Sequence, residues 1–201
     1  MGSTKNFEEE KLIIGFIYPN EEIYEKALSI MKERFGEIDF STEEFSFSKE
    51  FSDYYDGELG GEGLRRIVSF ERTVDASLQA DIKLFTNEVE QGFADEAGRK
   101  VNIDPGFISH GRVMLATTKG TGFRIPLKDG IYTELTLYYA RGEWQKLPWT
   151  YRDYQSPRVQ EFLTKVRKST LSKEKTINNK RRKRRKADSE DYDESAFYIR
   201  F

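Results

Sequence analysis

Three acidic side chains lie in, or directly after, separate segments whose composition predicts extended structure. These are Glu71, Asp104 and Glu134, and Glu134 lies mid-segment among tyrosine and threonine hydroxyls. Carboxylate oxygens are the ligands that a hard divalent cation such as Mg²⁺ prefers. The three acids therefore form one candidate metal site. With Mg²⁺ as its cofactor, that site would support metal-assisted phosphate transfer or hydrolysis.

Basic and amide side chains near these acids favour an anionic ligand. Lys83 and Asn87 are one helical turn apart beside an apolar stripe, and Lys119 and Arg124 lie in a later segment. Such groups bind phosphate or carboxylate through charge-assisted hydrogen bonds. Our leading hypothesis is a binding module for a small anionic or nucleotide-like ligand. The predicted pocket is lined by Glu71, Lys83, Asn87, Asp104, Arg124 and Glu134.

A structural explanation of the same residues stays open beside the functional one. Each acid could pair with a neighbouring base on a solvated sheet face, and Asp104 could cap its own turn, since ion pairs also occupy purely structural sites.

Two aromatic residues also have both a structural and a functional interpretation. Trp149 and Tyr154 could pack at a strand-to-helix corner or form an aromatic wall of a pocket.

Composition excludes several other kinds of site. The 201-residue chain has no Cys and one His, which excludes disulfides, a thiolate metal site, a Cys nucleophile and a multi-His centre. The glycine-rich segment 53–63 lacks the Gly-Lys-Ser/Thr sequence of a phosphate-cradling loop. No run approaches the roughly 20 apolar residues of a membrane span, and the acidic, polar N-terminus is unlike a secretory signal. We therefore expect no membrane partner.

Charge is concentrated near the C-terminus. Residues 171–201 hold ten Lys and Arg against six Asp and Glu, although the formal net charge of the chain is -2. Because dense like charges repel, we predict a largely flexible tail at 171–201. The rest of the chain is expected to form an N-terminal extension at 1–10 and a single domain at 11–170. The tail suggests RNA association as a further hypothesis, since clustered cations displace counterions from nucleic acid. A solubilising tail is the alternative. The candidate nucleic-acid contacts are Lys180, Arg181, Arg182, Lys183, Arg184, Arg185 and Lys186.

The elements that must position the candidate residues alternate between strands and helices. The apolar run 11–18 predicts a buried strand, and helical spacing over 21–35 predicts a helix that Gly36 ends. A strand at 64–73 and an amphipathic helix at 78–93 follow. A short strand at 101–103 is expected to stop at Asp104-Pro105-Gly106. Turns at Lys128-Asp129-Gly130 and Arg141-Gly142 then predict a β-meander, and a last helix is predicted at 157–168.

This order predicts an α+β fold. We expect a ferredoxin-like β-α-β-β-α-β sandwich, extended by a C-terminal antiparallel β-meander, with helices on one sheet face. The other face would then be solvent-facing, paired with another chain, or the floor of a ligand site.

Seven segments together resemble one bacterial family. They are Ser69-Phe70-Glu71-Arg72, Ile82-Lys83-Leu84-Phe85-Thr86-Asn87-Glu88, Val101-Asn102-Ile103-Asp104-Pro105-Gly106-Phe107, Leu115-Ala116-Thr117-Thr118-Lys119, Arg124-Ile125-Pro126-Leu127, Asp129-Gly130-Ile131-Tyr132-Thr133-Glu134-Leu135-Thr136-Leu137 and Leu147-Pro148-Trp149-Thr150-Tyr151. The similarity runs from about residue 11 to 168 in the same order, and the family it indicates is known as domain of unknown function 4416, whose members are sometimes labelled GTP-binding proteins. The resemblance implies a bacterial cytoplasmic protein without an established reaction.

The sequence departs from that label and from the family pattern. It has no Gly-Lys-Ser/Thr loop and no Asn-Lys-x-Asp guanine motif. It also differs at Gly120, where Asp is usual, and at Phe123, where His is frequent.

Overall fold

One antiparallel sheet organises the chain. The structure is a computed structural model that describes residues 2–171. The strands in that range are β1 (Glu9–Tyr18), β2 (Ile38–Ser41), β3 (Phe45–Ser46), β4 (Leu64–Asp75), β5 (Asn102–Ile108), β6 (Arg112–Thr117), β7 (Ile125–Pro126), β8 (Tyr132–Ala140) and β9 (Glu143–Lys146). They pair in the order β2-β4-β1-β5-β6-β8-β7, with β3 added to β4 and β9 added to β8. Every one of these pairings is antiparallel.

Helices complete the α+β class that the sequence predicts. Those in the described range are α1 (Glu21–Phe35), α2 (Phe47–Glu50), α3 (Asp56–Leu59), α4 (Gln79–Gly92) and α5 at residues 157–171. α1 begins where the Asn20 side chain accepts a hydrogen bond from the Ile23 amide, and it ends at Gly36, whose φ is +94°. In the described part of the chain, none of the helices has the length and apolar character needed to cross a membrane.

The first sheet face packs against α1 and α4. Side chains alternate along a strand, so Leu12, Ile14, Phe16 and Tyr18 of β1 point to this face together. They meet Tyr24, Ala27, Leu28 and Met31 of α1 and Ile82 of α4. This layer is the larger of the apolar cores and fixes where α4 lies against the sheet.

The second sheet face is covered by α5, so the prediction that helices lie on one face was wrong. Ile13 of β1 belongs to this face and packs in one core with residues of β6, β8 and α5. The α5 members recur at helical spacing and are all buried: Val159, Phe162, Leu163 and Val166. The helix itself was predicted, but its helical spacing does not show which sheet face the helix covers.

Strand β5 continues through the expected stop at Pro105. Its pairing with β1 includes Pro105 opposite Ile14, whereas β6 pairs with β5 only from Gly106 onward. Pro105 thus lies where β5 has one paired neighbour, a position that tolerates the missing amide hydrogen. At Gly106 the backbones come close, because an added Cβ would stand 2.6 Å from the Met114 carbonyl oxygen. The segment after α4 therefore presents Asp104 from a strand, not from a turn.

The two turns of the C-terminal meander are confirmed. Asp129 and Gly130 have φ values of +53° and +75°, and Arg141 and Gly142 have +56° and +89°. Consecutive residues with positive φ match the right-handed twist of a tight hairpin. These turns set the positions of β8 and β9, which lie beside the site described next.

Candidate ligand-binding site

A polar cavity lies where β5, β6 and α4 meet the segments that follow β3 and β9. Its volume is about 140 Å³. We call this space the inner cavity. It adjoins a wider depression of about 530 Å³, called the mouth here. The two spaces share the lining residues Phe47, Tyr55, Lys119, Tyr151 and Asp153.

The structure brings together half of the predicted ligand-binding residues in the inner cavity. Lys83, Asn87 and Asp104 all line it, and Lys119 joins them from the loop after β6. Lys83 is buried, and its Nζ donates to the Ile103 carbonyl oxygen at 2.9 Å and to Asp104 Oδ1 at 3.3 Å. β6 pairs with β5 only from Gly106 onward, so no strand lies beside the start of β5 where the Lys83 side chain approaches.

Asp104 is the most accessible carboxylate of the inner cavity. Its side chain is 30% exposed and accepts a hydrogen bond from Asn102 Nδ2 at 2.5 Å. Burial alone would raise its pKa, but the Lys83 ammonium and the Arg65 guanidinium hold the pKa below the usual range. The group is therefore ionised at neutral pH and can accept hydrogen bonds from a bound molecule.

Arg65 and Asp153 are central to the cavity, and sequence reasoning missed both. Arg65 Nη2 lies 2.9 Å from Asp153 Oδ2, and each side chain is 4% exposed. The Arg65 guanidinium lies over the backbone of Gly15, where an added Cβ would stand 3.0 Å from Nη2. A glycine in the middle of a buried strand signals such a close approach. That signal could have identified a large group packed on β1.

Arg99 extends the charge network on the α4 side of the cavity. It donates to Glu58 Oε1 at 2.9 Å and to Glu90 Oε2 at 2.8 Å. Glu90 is buried, and its Oε1 lies 3.8 Å from Lys83 Nζ. Burial raises the pKa of Glu90 although these cations oppose the shift. Three of the four cations that line the inner cavity, Arg65, Lys83 and Arg99, therefore have carboxylate partners.

Arg124 and Glu134 form a buried ion pair behind one wall of the site. Arg124 Nε donates to Glu134 Oε2 at 2.7 Å, and their side chains are 8% and 1% exposed. Arg124 also donates to the Lys119 carbonyl oxygen at 2.7 Å and to the Tyr151 hydroxyl at 2.8 Å. Burial raises the pKa of Glu134, and Arg124 opposes that shift. The pair therefore positions two segments of the wall and does not itself line the inner cavity.

Glu71 lies apart from the other candidate residues. It is exposed on β4, on the far side of β1 from Asp104 and roughly three residues out of register. Strand spacing and rise make that a separation on the order of 14 Å. Within residues 2–171, no group of three or more acidic, His or Cys side chains could hold a metal ion. Glu71, Asp104 and Glu134 thus do not form the predicted metal site. The predicted nucleic-acid contacts at 180–186 lie outside the described residues.

The mouth carries the exposed cations and aromatic rings of the site. Lys119 and Arg152 line it, and neither has a carboxylate partner among the residues that the structure describes. Lys119 Nζ instead lies 5.3 Å from the centre of the Tyr54 ring. The other aromatic lining residues are Phe47, Phe51, Tyr55 and Tyr151.

Some polar atoms of the inner cavity lack hydrogen-bond partners within the described range. The Tyr154 hydroxyl and Arg65 Nε are both buried and unpaired in this sense. Tyr154 belongs to the apolar core of the second sheet face and also lines the cavity, so both sequence-based interpretations of this residue apply. Trp149, in contrast, stacks on Phe123 at 4.7 Å and donates to the Leu135 carbonyl oxygen, outside the cavity.

The comparison with protein families matches most of the chain. The family model described as Domain of unknown function (DUF4416) matches residues 8–169. Neither the curated proteins nor the solved structures include a match.

Proposed function

We propose that this chain, which belongs to the DUF4416 family, binds a small molecule that carries an anionic group. The observation that carries the proposal is a pair of cations, Lys119 and Arg152, that lie beside a polar cavity and have no carboxylate partner within residues 2–171. Cations in ion pairs are already compensated, whereas an unpaired cation at a concave surface attracts an anion. The mouth is therefore the place where phosphate or carboxylate would bind.

The inner cavity adds support for a bound molecule that extends beyond its anionic group. The Asn87 amide lines this cavity and has no hydrogen-bond partner among the described residues. A ligand that enters the inner cavity would supply that partner.

Removal of the two mouth cations tests the proposal. We expect inorganic phosphate or ribose phosphate to bind saturably to the full-length chain in isothermal titration calorimetry at low salt. The double variant Lys119→Ala, Arg152→Ala should weaken that binding by about tenfold or more, because a hydrogen bond to a charged group contributes about 1.5–3 kcal/mol. Its matched control is Lys128→Ala, Arg158→Ala, which removes the same charge from exposed ion pairs with Asp81 and Glu50.

Two results would contradict the proposal. If the control variant weakened binding as much as the mouth variant, the attraction would depend on overall charge and not on this site. If neither phosphate compound bound saturably, the chain would have no anion site of this kind.

We also infer that the first half of the domain has the ferredoxin-like arrangement. The support is the element order β1-α1-β2-β4-α4-β5 together with the sheet order β2-β4-β1-β5 in antiparallel pairing. In this arrangement two helices cross one face of a four-stranded sheet. β6 to β9 would then be an extension that supplies one side of the cavity.

A further inference from the structure

The inner cavity has the size of a single ring. Its volume is about 140 Å³. A protein cavity of about 150 Å³ is large enough to hold benzene. The mouth is several times larger and open to solvent, so a ligand that uses both spaces would place one ring-sized group inside and the rest outside.

Charge inside the cavity disfavours the anionic group there. Arg65 is compensated by Asp153, and Lys83 lies between Asp104 and Glu90. Lys119 is exposed and lines both spaces, so its charge lies where the inner cavity meets the mouth. A phosphate placed among these groups would face the ionised Asp104 at short range, and burying an uncompensated negative charge is costly. The group in the inner cavity is therefore neutral, and the anionic group lies at the mouth.

The walls of the inner cavity favour a flat group. Aromatic rings line it on several sides: Phe47, Tyr55, Tyr151 and Tyr154. The Arg65 guanidinium lies over two of these rings, 5.7 Å from the centre of Phe47 and 5.9 Å from that of Tyr154. Planar heterocycles stack on aromatic side chains, whatever their exact substituents.

Hydrogen-bonding groups meet the edge of such a ring. The Asp104 carboxylate accepts from a ring N–H or amino group. The Asn87 amide can both donate and accept, and no hydrogen bond occupies it among the described residues. A carboxylate and an amide are the side chains that read the polar edges of nucleobases.

We propose, on the basis of the proposed function, that the ligand is a nucleoside phosphate bound with its base in the inner cavity. The base stacks among the aromatic rings, and its edge bonds to Asp104 and Asn87. The phosphate lies at the mouth, against Lys119 and Arg152.

The test compares ligands that share the phosphate but differ in the ring. Calorimetric titrations of the full-length chain use the four common ribonucleoside monophosphates and ribose phosphate. They are repeated with Asn87→Ala, which removes an amide at the cavity. The matched control is Gln91→Ala, which removes an exposed amide one turn further along α4.

We expect at least one nucleotide to bind about tenfold more tightly than ribose phosphate, because its base adds stacking and edge hydrogen bonds to the phosphate contacts. Asn87→Ala should remove most of that advantage and leave ribose phosphate unchanged, whereas Gln91→Ala should change neither.

Equal affinity for ribose phosphate and for every nucleotide would overturn the base-inward proposal and leave anion binding intact. Equal weakening of both ligands by Asn87→Ala would do the same. If ribose phosphate and the nucleotides all failed to bind, the proposed function itself would be wrong, and this inference would fall with it.

Discussion

Replacement of Arg65 by methionine is expected to lower the free energy of unfolding by about 3–5 kcal/mol, the usual cost of removing one partner of a buried ion pair. The Asp153 carboxylate would be left buried without its cation, since Arg65 Nη2 lies 2.9 Å from it. The guanidinium also contacts two aromatic rings, and methionine replaces only part of that packing. Denaturant unfolding followed by fluorescence measures the change.

Arg158→Met is the control for this experiment. Arg158 pairs with Glu50 at 3.2 Å, but both side chains are about 40% exposed, so we expect a loss of about 1 kcal/mol or less. A loss below about 1 kcal/mol in Arg65→Met would mean that Asp153 finds compensation without Arg65. That result would contradict the charge arrangement described for the inner cavity.

Replacement of Lys83 by methionine should cost about 3 kcal/mol at neutral pH, and the cost should shrink in acid. Without the ammonium, the partly exposed Asp104 carboxylate and the buried Glu90 carboxylate have no cation between them, and the pKa of each should rise. Groups with a raised folded-state pKa favour the folded state below their usual pKa and lose that contribution as pH rises. The variant should therefore approach the wild-type stability as pH falls.

In the wild type the sign for Asp104 is opposite. Its lowered pKa means that its ionised form stabilises the fold above the usual carboxyl pKa, and this contribution is lost as pH falls through the folded-state pKa. Between about pH 8 and about pH 5 the gap narrows through the raised carboxyl pKa values of the variant, and the loss of the Asp104 contribution in the wild type adds to it only below about pH 4. Denaturation at about pH 8 and about pH 5 measures the gap. Lys26→Met, which breaks an exposed pair with Glu22, is the control. A gap that stayed constant or widened in acid would contradict the proposed coupling of Lys83 to the two carboxylates.

Local signals were sufficient for the elements and for part of the site. Helical spacing placed Lys83 and Asn87 one turn apart on α4, and both residues line the inner cavity. Asp104 was selected for its position directly after the apolar run 101–103, although the structure continues the strand through it. Glycines that adopt positive φ predict the hairpin turns and the end of α1, and the capping side chain of Asn20 predicts its start. Each of these depends on residues within a few positions of one another.

The other features of the site depend on long-range packing, which local sequence patterns do not report. Arg65 and Arg66 are consecutive on β4 and must point to opposite faces, but only the tertiary structure shows which face is closed by α5. Glu71, on a predicted strand, was grouped with Asp104, at a predicted strand end, because both supply carboxylate oxygens. The pairing of β1 with β4 shifts register between Lys11 and Ile13, and the two acids lie on opposite sides of β1. No local pattern reports such a shift.

Amide chemical shifts recorded during a titration test the central claim most directly. With ribose phosphate added to the isotope-labelled full-length chain, we predict saturable shifts for Thr118, Lys119, Arg152 and Asp153, which surround the mouth and the inner cavity. Saturable shifts that instead clustered around Gly142 and Lys168, which line a separate depression, would contradict the claim. So would a spectrum that did not change at all.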